Sequence, residues 1–414
     1  MPDERSTLLI VSQTFVPDPA AVGQHLGDVA DEMARRGWRV RVYTSARGYD
    51  DATARYPKRE DKGRVEVRRL PLSSFGKGSI AVRLAAGFVF CFQAVLRAVW
   101  LGRIDALLIS TSPPMAPLAA MAIRLVRRAP VTFWAMDINP DQMIVMGKTS
   151  ATSPPARAFD WMYRRTIRTS RKVVALDRFM AERLERKAAV ADKLAVIPPW
   201  PHLDASAPPV DHAENPFRRE QGLGDKLVVM YSGNLSPAHP LDTILDTADR
   251  LRDEAGVEFV FIGGGLGAAQ VRAFIDDQRL PNARLLPYQP LETLPYSLAA
   301  ADVHLVVLGE AMVGVVHPCK VYGAMAVGRP VLYVGPEPSH VSDLLEKGGI
   351  GRRVAHGDAA GAVEAIRAFQ RMSDEQRRAM GERAQAMIRG SLSREHSLGA
   401  FCDALEATRC DSDS

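Results

Sequence analysis

The stretch 301–335 constrains the fold most, because a strand, a loop, a helix, a turn and a second strand follow one another in it. Residues 303–308 form an apolar, β-branched run, which is typical of a strand buried on both faces of a parallel sheet. Pro318 presets φ for a first helical turn, and the pattern predicts a helix over 319–327 that ends at Gly328. Parallel strands need such a crossover, so this region is predicted to be α/β.

The same alternation of short apolar strands and amphipathic helices runs through both halves of the chain. Between the halves lies a segment that is dense in proline and polar residues and is typical of a linker. A chain of 414 residues is also too long for one ordinary core. We therefore predict an α/β fold with two doubly wound domains, over 1–200 and 215–393, joined by a linker over 201–214.

Composition excludes several classes of function. The net charge of +5 arises from 53 basic and 48 acidic residues, which is a small excess. The densest basic cluster, residues 165–172, has the pattern of a helix end that enters a strand, so we expect no nucleic-acid partner. The four cysteines form no CxxC pair, and neither they nor the histidines show metal-ligand spacing, so we expect no metal. The N-terminus lacks a signal-peptide pattern, and we expect a cytoplasmic protein with reduced thiols.

The most apolar predicted helix covers residues 78–101 and has two interpretations. Its 13 uncharged residues between Arg83 and Arg97 are too few to span a bilayer. It is either a core helix, or a helix with an exposed apolar face for a lipid-linked acceptor or the membrane surface. The second interpretation makes the protein peripheral at the inner face of the membrane.

Three loops of the second half carry small or hydrogen-bonding residues after predicted strands. Since the carboxyl ends of parallel strands share one edge of a sheet, these loops could surround one nucleotide diphosphate, held by backbone N–H groups and by a cation. Tyr322 lies beside them and is either a ligand contact or a core residue. The loop residues are Ser232, Gly233, Asn234, His239, Gly263, Gly264, Gly265 and Lys320.

Two further candidates lie in the first half. Gly23 stands where a proline-rich loop enters a helix, and it permits either close backbone approach or a plain turn. Asp137 lies in the loop 136–147 after a predicted strand, where it is either a site residue or a turn former. No GxGxxG follows the first strand, and GxxxxGK[ST], HExxH and GxSxG are absent, which argues against dinucleotide, P-loop, zinc-protease and hydrolase sites.

Several segments together resemble retaining nucleotide-sugar glycosyltransferases of family 4, most closely the bacterial envelope-polysaccharide branch that includes N-acetylfucosamine transferases. The resemblance implies the GT-B fold, in which two Rossmann-like domains face an interdomain cleft. The N-terminal domain would bind the acceptor and the C-terminal domain the donor, and a last helix, about 394–410, would pack back on the first domain. The segments are FVPDPAAVGQHLGDVADEMARRGWRVRVYTS, MDINPDQMIVMG, YSGNLSPAHPLDTIL, FIGGG, LPYSLAAADVHLVVL and HPCKVYGAMAVGRPVLYVG.

The resemblance also implies roles for single residues. Asp137 would lie near the transferred sugar, and Lys320 with His239 would stabilise the leaving diphosphate, which makes these three the catalytic set. Leu291 would belong to the pocket for the base. The implied donor-binding residues are Gly23, Ser232, Gly233, Asn234, Gly263, Gly264, Leu291, Pro318, Lys320 and Tyr322.

One departure from the broad family concerns two glutamates spaced by seven residues. The matching positions are Val315 and Gly323, and Glu310 lies five residues before the first of them. The branch that the chain resembles has a Pro-x-Lys-x-Tyr segment instead, here at 318–322. Recognition of the donor is therefore expected to differ from that of the broad family.

The implied activity is transfer of a sugar from a nucleotide-diphosphate sugar, a UDP-sugar above all, to an acceptor hydroxyl with retention. The resemblance implies no metal and no cofactor besides this co-substrate. The acceptor sugar would be lipid-linked or soluble, in polysaccharide, glycolipid or secondary-metabolite biosynthesis. Two alternatives stay open: a nucleotide-sugar 2-epimerase or hydrolase of the same fold, and a non-catalytic sugar-nucleotide-binding protein.

Overall fold

The computed structural model describes residues 6–18, 20–48, 53–71, 73, 80–203, 205 and 210–409. The chain divides into two compact units. The N-terminal unit comprises Met1–Pro199 and Glu395–Ser414, and the C-terminal unit comprises Trp200–Arg394.

The N-terminal unit has an eight-stranded sheet in the order β3-β4-β2-β1-β5-β6-β7-β8, in which every pair is parallel except β3 with β4. The strand order reverses between β1 and β5, so the sheet is doubly wound, as predicted. The strands are β1 (Thr7–Val11), β2 (Arg39–Ser45), β3 (Arg59–Lys62), β4 (Val65–Leu70), β5 (Ala106–Ser110), β6 (Val131–Trp134), β7 (Lys172–Ala175) and β8 (Leu194–Val196). The helices are α1 (Ala21–Arg35), α2 (Ile80–Val99), α3 (Ala116–Arg127), α4 (Asp141–Val145), α5 (Pro154–Thr169), α6 (Arg178–Lys187) and, from the end of the chain, α15 (Arg394–Glu406).

One strand of this sheet has a sequence that does not predict a strand. Residues 46–63 read as a polar loop, but Arg59–Lys62 forms the antiparallel edge strand β3 beside β4. Its sequence, REDK, is wholly charged and largely exposed, so it lacks the apolar alternation by which strands are predicted. Charged side chains on an edge strand also oppose pairing with another chain.

The C-terminal unit has a six-stranded sheet in the order β11-β10-β9-β12-β13-β14, and all of its pairs are parallel. Its strand order reverses between β9 and β12. The strands are β9 (Leu227–Ser232), β10 (Val257–Ile262), β11 (Ala283–Leu286), β12 (Val303–Val307), β13 (Val331–Val334) and β14 (Gly351–Val354). The helices are α7 (Pro216–Glu220), α8 (Asp242–Arg250), α9 (Ala268–Gln278), α10 (Leu294–Ala299), α11 (Lys320–Ala326), α12 (His340–Gly348), α13 (Ala359–Arg371) and α14 (Asp374–Arg389).

The stretch 301–335 folds as predicted, into β12, α11 and β13. The helix begins at Lys320, one residue after the predicted start, and follows a turn in which the Val321 N–H donates to the Pro318 carbonyl at 3.3 Å. Gly328 follows the helix with φ +64°, the left-handed conformation that glycine adopts most readily. Every residue of β12 and β13 is buried, as expected for strands covered on both faces.

The described part of the predicted linker packs on the C-terminal unit. Leu203 and Val210 contact a small apolar cluster that contains Leu298 of α10. The guanidinium of Arg329 donates to the carbonyl oxygens of Val210, at 3.0 Å, and Ala299, at 2.8 Å. These bonds tie the segment that follows the N-terminal unit to the body of the C-terminal unit.

Among the described residues, every helix is too short or too polar to traverse a lipid bilayer.

Candidate active site

The reversal of strand order in the C-terminal unit positions the predicted diphosphate site. Loops that leave the carboxyl ends of β9 and β12 turn in opposite directions, and the crevice that results is where open parallel sheets bind ligands. Gly233 follows β9, Gly263 follows the neighbouring β10, and Lys320 follows β12. The fold therefore brings the three predicted loops to one edge of the sheet.

Backbone hydrogen bonds join the loops after β9 and β10. The Gly233 N–H donates to the Ile262 carbonyl at 2.9 Å, and the Leu235 N–H donates to the Gly264 carbonyl at 2.7 Å. Within the part of the chain that the structure describes, the N–H groups of Asn234 and Gly264 have no acceptor. Unpaired N–H groups in a glycine-rich loop are donors that suit phosphate oxygens.

Gly233 and Gly263 are required by this close packing. Their φ angles are +128° and +139°, values that side chains with a Cβ rarely adopt. A Cβ on Gly263 would lie 2.1 Å from the carbonyl oxygen of Gly233, and a Cβ on Gly233 would lie 2.8 Å from Cε of Lys320. The absence of both side chains thus lets the two loops and the lysine stem share a small volume.

The ammonium of Lys320 lies in this group without a counter-ion. No carboxylate of a described residue lies within ion-pair distance of its Nζ, which sits 5.1 Å from the ring centroid of Tyr231. Burial lowers the pKa of Lys320 from 10.5 to about 8, which leaves the group mainly protonated at neutral pH. An unpaired, partly buried cation is costly unless an anion binds beside it.

His239 lies on the loop that follows β9 and is buried, with 8% of its surface exposed. Burial, and then the charge of Lys320, lower its pKa well below the ordinary value, so the imidazole is neutral. It hydrogen-bonds to the backbone of Val307, and its Nδ1 has no partner among the described residues. Because Nε2–H is then the donor to the Val307 carbonyl oxygen, Nδ1 presents a lone pair.

Tyr322 has a buried hydroxyl that is engaged within the unit. Its oxygen lies 2.9 Å from Nε2 of His317 and 2.8 Å from Nε2 of His340. Of the two interpretations from the sequence, the geometry matches a core residue that fixes the orientation of α11 and hence of Lys320. Since the hydroxyl is engaged by two histidines, the predicted contact of Tyr322 with the nucleotide sugar would have to involve its buried ring.

The other residues predicted for this site lie at the ends of strands and helices or in the loops between them. Ser232 ends β9, Pro318 is buried ahead of α11, and Leu291 begins a short 3-10 helix, with its side chain outside the described part. Val315, which replaces a family glutamate, is fully buried, whereas Glu310 is exposed on the loop after β12. The described geometry therefore shows Glu310 as a solvent-facing carboxylate.

Two predicted site residues, Gly23 and Asp137, belong to the N-terminal unit. A Cβ on Gly23 would lie 3.0 Å from the backbone nitrogen of Phe15, so the glycine lets the loop after β1 pack against α1. The backbone N–H of Asp137 donates to Oγ1 of Thr111 at 3.3 Å, which joins the loop after β6 to the loop after β5. Burial raises the pKa of the Asp137 carboxyl from 3.8 to about 6.

Asp141, the other acidic residue of the loop 136–147, has a structural role. Its carboxylate pairs with Arg183 at 3.0 Å and with Lys187 at 2.6 Å. Lys187 also pairs with Asp160 of α5 at 2.5 Å. This network anchors the start of α4 to α5 and α6 and thereby holds the loop that carries Asp137.

Three side chains near the candidate site were missed by the sequence reasoning: Tyr231, His317 and His340. Tyr231 is the fifth residue of a buried strand and has the pattern of a core aromatic residue. The two histidines are 23 residues apart and meet only through the tertiary fold. The one available signal was that His317 and Pro318 precede the predicted helix.

Comparisons with known proteins agree with this fold. Residues 20–200 match the family described as glycosyl transferase 4-like domain, and residues 226–371 match the family described as glycosyl transferases group 1. Sucrose-phosphate synthase from Thermosynechococcus elongatus superposes with a TM-score of 0.76 at 15% identity, and covers 97% of this chain and 99% of that one. HepE of Anabaena, in complex with UDP-glucose, superposes with a TM-score of 0.71 at 17% identity over 97% and 99%.

The chain is thus a glycosyltransferase of the GT-B type, built from a glycosyl transferase 4-like domain and a group 1 domain. Among curated proteins, it is similar to the putative colanic acid biosynthesis glycosyl transferase WcaI of Escherichia coli. The two are 25% identical over 360 residues, which are 82% of this chain and 86% of WcaI.

Proposed function

We propose that this protein transfers a sugar from a UDP-sugar to an acceptor hydroxyl with retained configuration, in the assembly of a bacterial envelope polysaccharide or glycolipid. The UDP-glucose complex of HepE supports the donor class, since that protein has the same fold. The name of WcaI, a relative in colanic acid biosynthesis, supports the pathway class. The C-terminal unit is the proposed donor site, and the N-terminal unit is the proposed acceptor site.

The observation that carries the proposal is the unpaired ammonium of Lys320 at the point where the strand order of the sheet reverses. A diphosphate would supply the missing counter-charge and would also accept hydrogen bonds from the free N–H groups of Asn234 and Gly264. Helix α11 is only seven residues long, so its dipole is a minor contribution beside the ammonium.

In the proposed reaction, the bond between the anomeric carbon and the UDP oxygen breaks while the acceptor oxygen bonds to that carbon from the same face. Negative charge grows on the leaving diphosphate, and Lys320 stabilises it more strongly in the transition state than in the ground state. The acceptor proton passes to an oxygen of the leaving diphosphate. We propose that N–H groups and the ammonium of the protein stabilise the leaving diphosphate, as a metal ion does in other transferases.

His239 receives a different role from the one inferred from the sequence. A neutral imidazole adds no charge to offset a diphosphate, and the lone pair of Nδ1 repels phosphate oxygens. We propose that Nδ1 accepts a hydrogen bond from a hydroxyl of the donor sugar. His239 would then orient the sugar, while Lys320 alone supplies the cation.

Asp137 is proposed to orient the acceptor or the transferred sugar. With a pKa of about 6, its carboxyl is mainly ionised at neutral pH and can accept hydrogen bonds from hydroxyl groups. A base is not needed if the leaving diphosphate takes the proton. The role of Asp137 is therefore positioning through hydrogen bonds.

The test is to incubate the purified protein with a panel of UDP-, GDP- and dTDP-sugars, with and without lipid-linked and soluble sugar acceptors. Nuclear magnetic resonance of the product gives the anomeric configuration. We expect acceptor-dependent release of UDP and a product that retains the donor configuration, both lost in Lys320→Met. UDP release or epimerisation without acceptor would identify the hydrolase or epimerase, and tight binding without turnover on every acceptor would identify a binding protein.

A further inference from the structure

Helix α2 presents an apolar stripe to solvent. Phe88, Phe92 and Leu96 follow one another at a spacing of four residues and are each about half exposed or more, and Trp100, at the end of the helix, is 89% exposed. The opposite face of the helix is buried in the N-terminal unit. Residues four apart lie on one side of a helix, so these side chains form one surface, which we call the α2 surface.

The apolar area continues at the end of the adjacent helix α3. Leu125 is 82% exposed and Val126 is 54% exposed. The guanidinium of Arg127 donates to the carbonyl oxygens of Val99, at 2.9 Å, and Leu101, at 2.6 Å, and so fastens the end of α3 to the end of α2. The two exposed groups therefore lie at the same end of two packed helices.

The segment that forms this area carries charge of almost one sign. Residues 78–128 contain six arginines and a single acidic residue, Asp105, while the whole chain carries a net charge of +5. Asp105 is buried and binds Arg103 at 2.6 Å and the Thr7 N–H at 2.8 Å, so it does not offset the outer arginines. Arg97 and Arg128 are exposed and have no ion-pair partner in the described part of the chain.

We infer that the α2 surface and the end of α3 dock on a bilayer that contains anionic lipids. Exposed aromatic side chains partition into the interface, and arginines beside them pair with lipid phosphates, each contributing about 1 kcal/mol near an anionic surface. The described helices are unable to span a bilayer, so α2 would lie in the plane of the interface.

Docking on a bilayer does not depend on the proposed sugar transfer. Docking would bring the protein to its acceptor if that acceptor is lipid-linked. Co-sedimentation with vesicles measures docking without any sugar transfer, and turnover of a soluble acceptor measures transfer without vesicles. A failure of one proposal is therefore distinguishable from a failure of the other.

The experiment uses the full chain with vesicles of phosphatidylcholine alone and of phosphatidylcholine mixed with phosphatidylglycerol. We expect binding to the mixed vesicles that weakens as salt rises, with a blue shift of Trp100 fluorescence that is absent in Trp100→Phe. The double variant Phe92→Ser, Trp100→Ser should bind mixed vesicles at least about tenfold more weakly than the unaltered protein. Arg97→Gln with Arg128→Gln should lose the preference for phosphatidylglycerol.

The matched control is Leu266→Ser, which removes an exposed apolar side chain of the C-terminal unit, 67% exposed. It should bind mixed vesicles like the unaltered protein. Equal binding to both kinds of vesicle, or no binding to either, would overturn the inference. Self-association that the Phe92 and Trp100 substitutions abolish, measured by light scattering without lipid, would show that a second copy covers the surface instead.

Discussion

Replacement of Lys320 by methionine should stabilise the unliganded protein while it abolishes activity. Methionine keeps much of the apolar stem that packs over Gly233, but it removes the ammonium. A lysine that serves only the fold would show the opposite result, because its removal would cost stability. The substitution therefore separates a binding role from a structural role.

The magnitude follows from the pKa of Lys320, which burial lowers from 10.5 to about 8. Since each pKa unit is about 1.4 kcal/mol, charging this lysine in the fold costs about 3 kcal/mol at neutral pH, an upper value for a side chain that is only partly buried. The substitution also loses the cation–π contact with the Tyr231 ring, which reduces the gain in stability by about 0.5–1 kcal/mol. The net gain of about 2 kcal/mol corresponds to about 4–8 °C in the melting temperature of a domain of this size.

The pH dependence has a definite sign. Between pH 8 and 10.5 the unfolded chain binds the lysine proton more tightly than the folded chain, so the stability of the unaltered protein rises with pH through that window. The advantage of Lys320→Met should therefore be complete below pH 8 and should vanish by about pH 10.5. Scanning calorimetry of both proteins at several pH values measures it.

Addition of the donor should invert the order of stability. A UDP-sugar at a hundred times its dissociation constant adds about 2.7 kcal/mol to a protein that binds it, and the variant should lose most of that gain. The matched control is Lys226→Met, since Lys226 pairs with the buried Glu258 at 2.8 Å and should cost stability without affecting turnover. A Lys320→Met protein that is less stable at pH 7 and retains turnover would refute the reasoning.

Three further outcomes are expected. Gly233→Ala should lower turnover about 10²–10³-fold because its Cβ displaces Lys320. The control Gly37→Ala, with φ +97° and open space around it, should lower only the stability. Equal turnover of the two variants would contradict the site. Tyr322→Phe should lower kcat more than it raises KM, since it frees α11 from two imidazoles without removing a donor contact. Asp137→Asn should stabilise the protein by up to about 3 kcal/mol above pH 6, and denaturant titrations should show this gain shrinking as the pH falls to 3.8.

Local patterns in the sequence were sufficient for most of the architecture. Apolar β-branched runs and helical periodicity each depend on neighbours along the chain, so β12, α11 and β13 could be predicted from 301–335 alone. Gly233 and Gly263 could be predicted as loop residues for the same reason. The strand β3 could not, because its charged sequence pairs only through the backbone of an edge.

The chemical state of the site depends on distances between residues remote in sequence. Lys320 and His239 are both polar candidates from the sequence, but the buried neighbourhood makes one an unpaired cation and the other a neutral acceptor. Tyr322 could be read as ligand or core until its hydroxyl was found between two histidines. Burial and partner geometry set these properties, and neither is encoded by local pattern.

Helix α2 shows the same division. Its sequence establishes that it is a long apolar helix, since composition and length are local properties. Which of its faces is covered depends on how it packs against α3 and the sheet, and that packing leaves Phe92 and Trp100 in solvent. The periodicity of the sequence thus determines which segments of this protein are helices and strands. Long-range packing determines whether each side chain lies in the core, in the site or on the surface, because water is excluded only by the assembled fold.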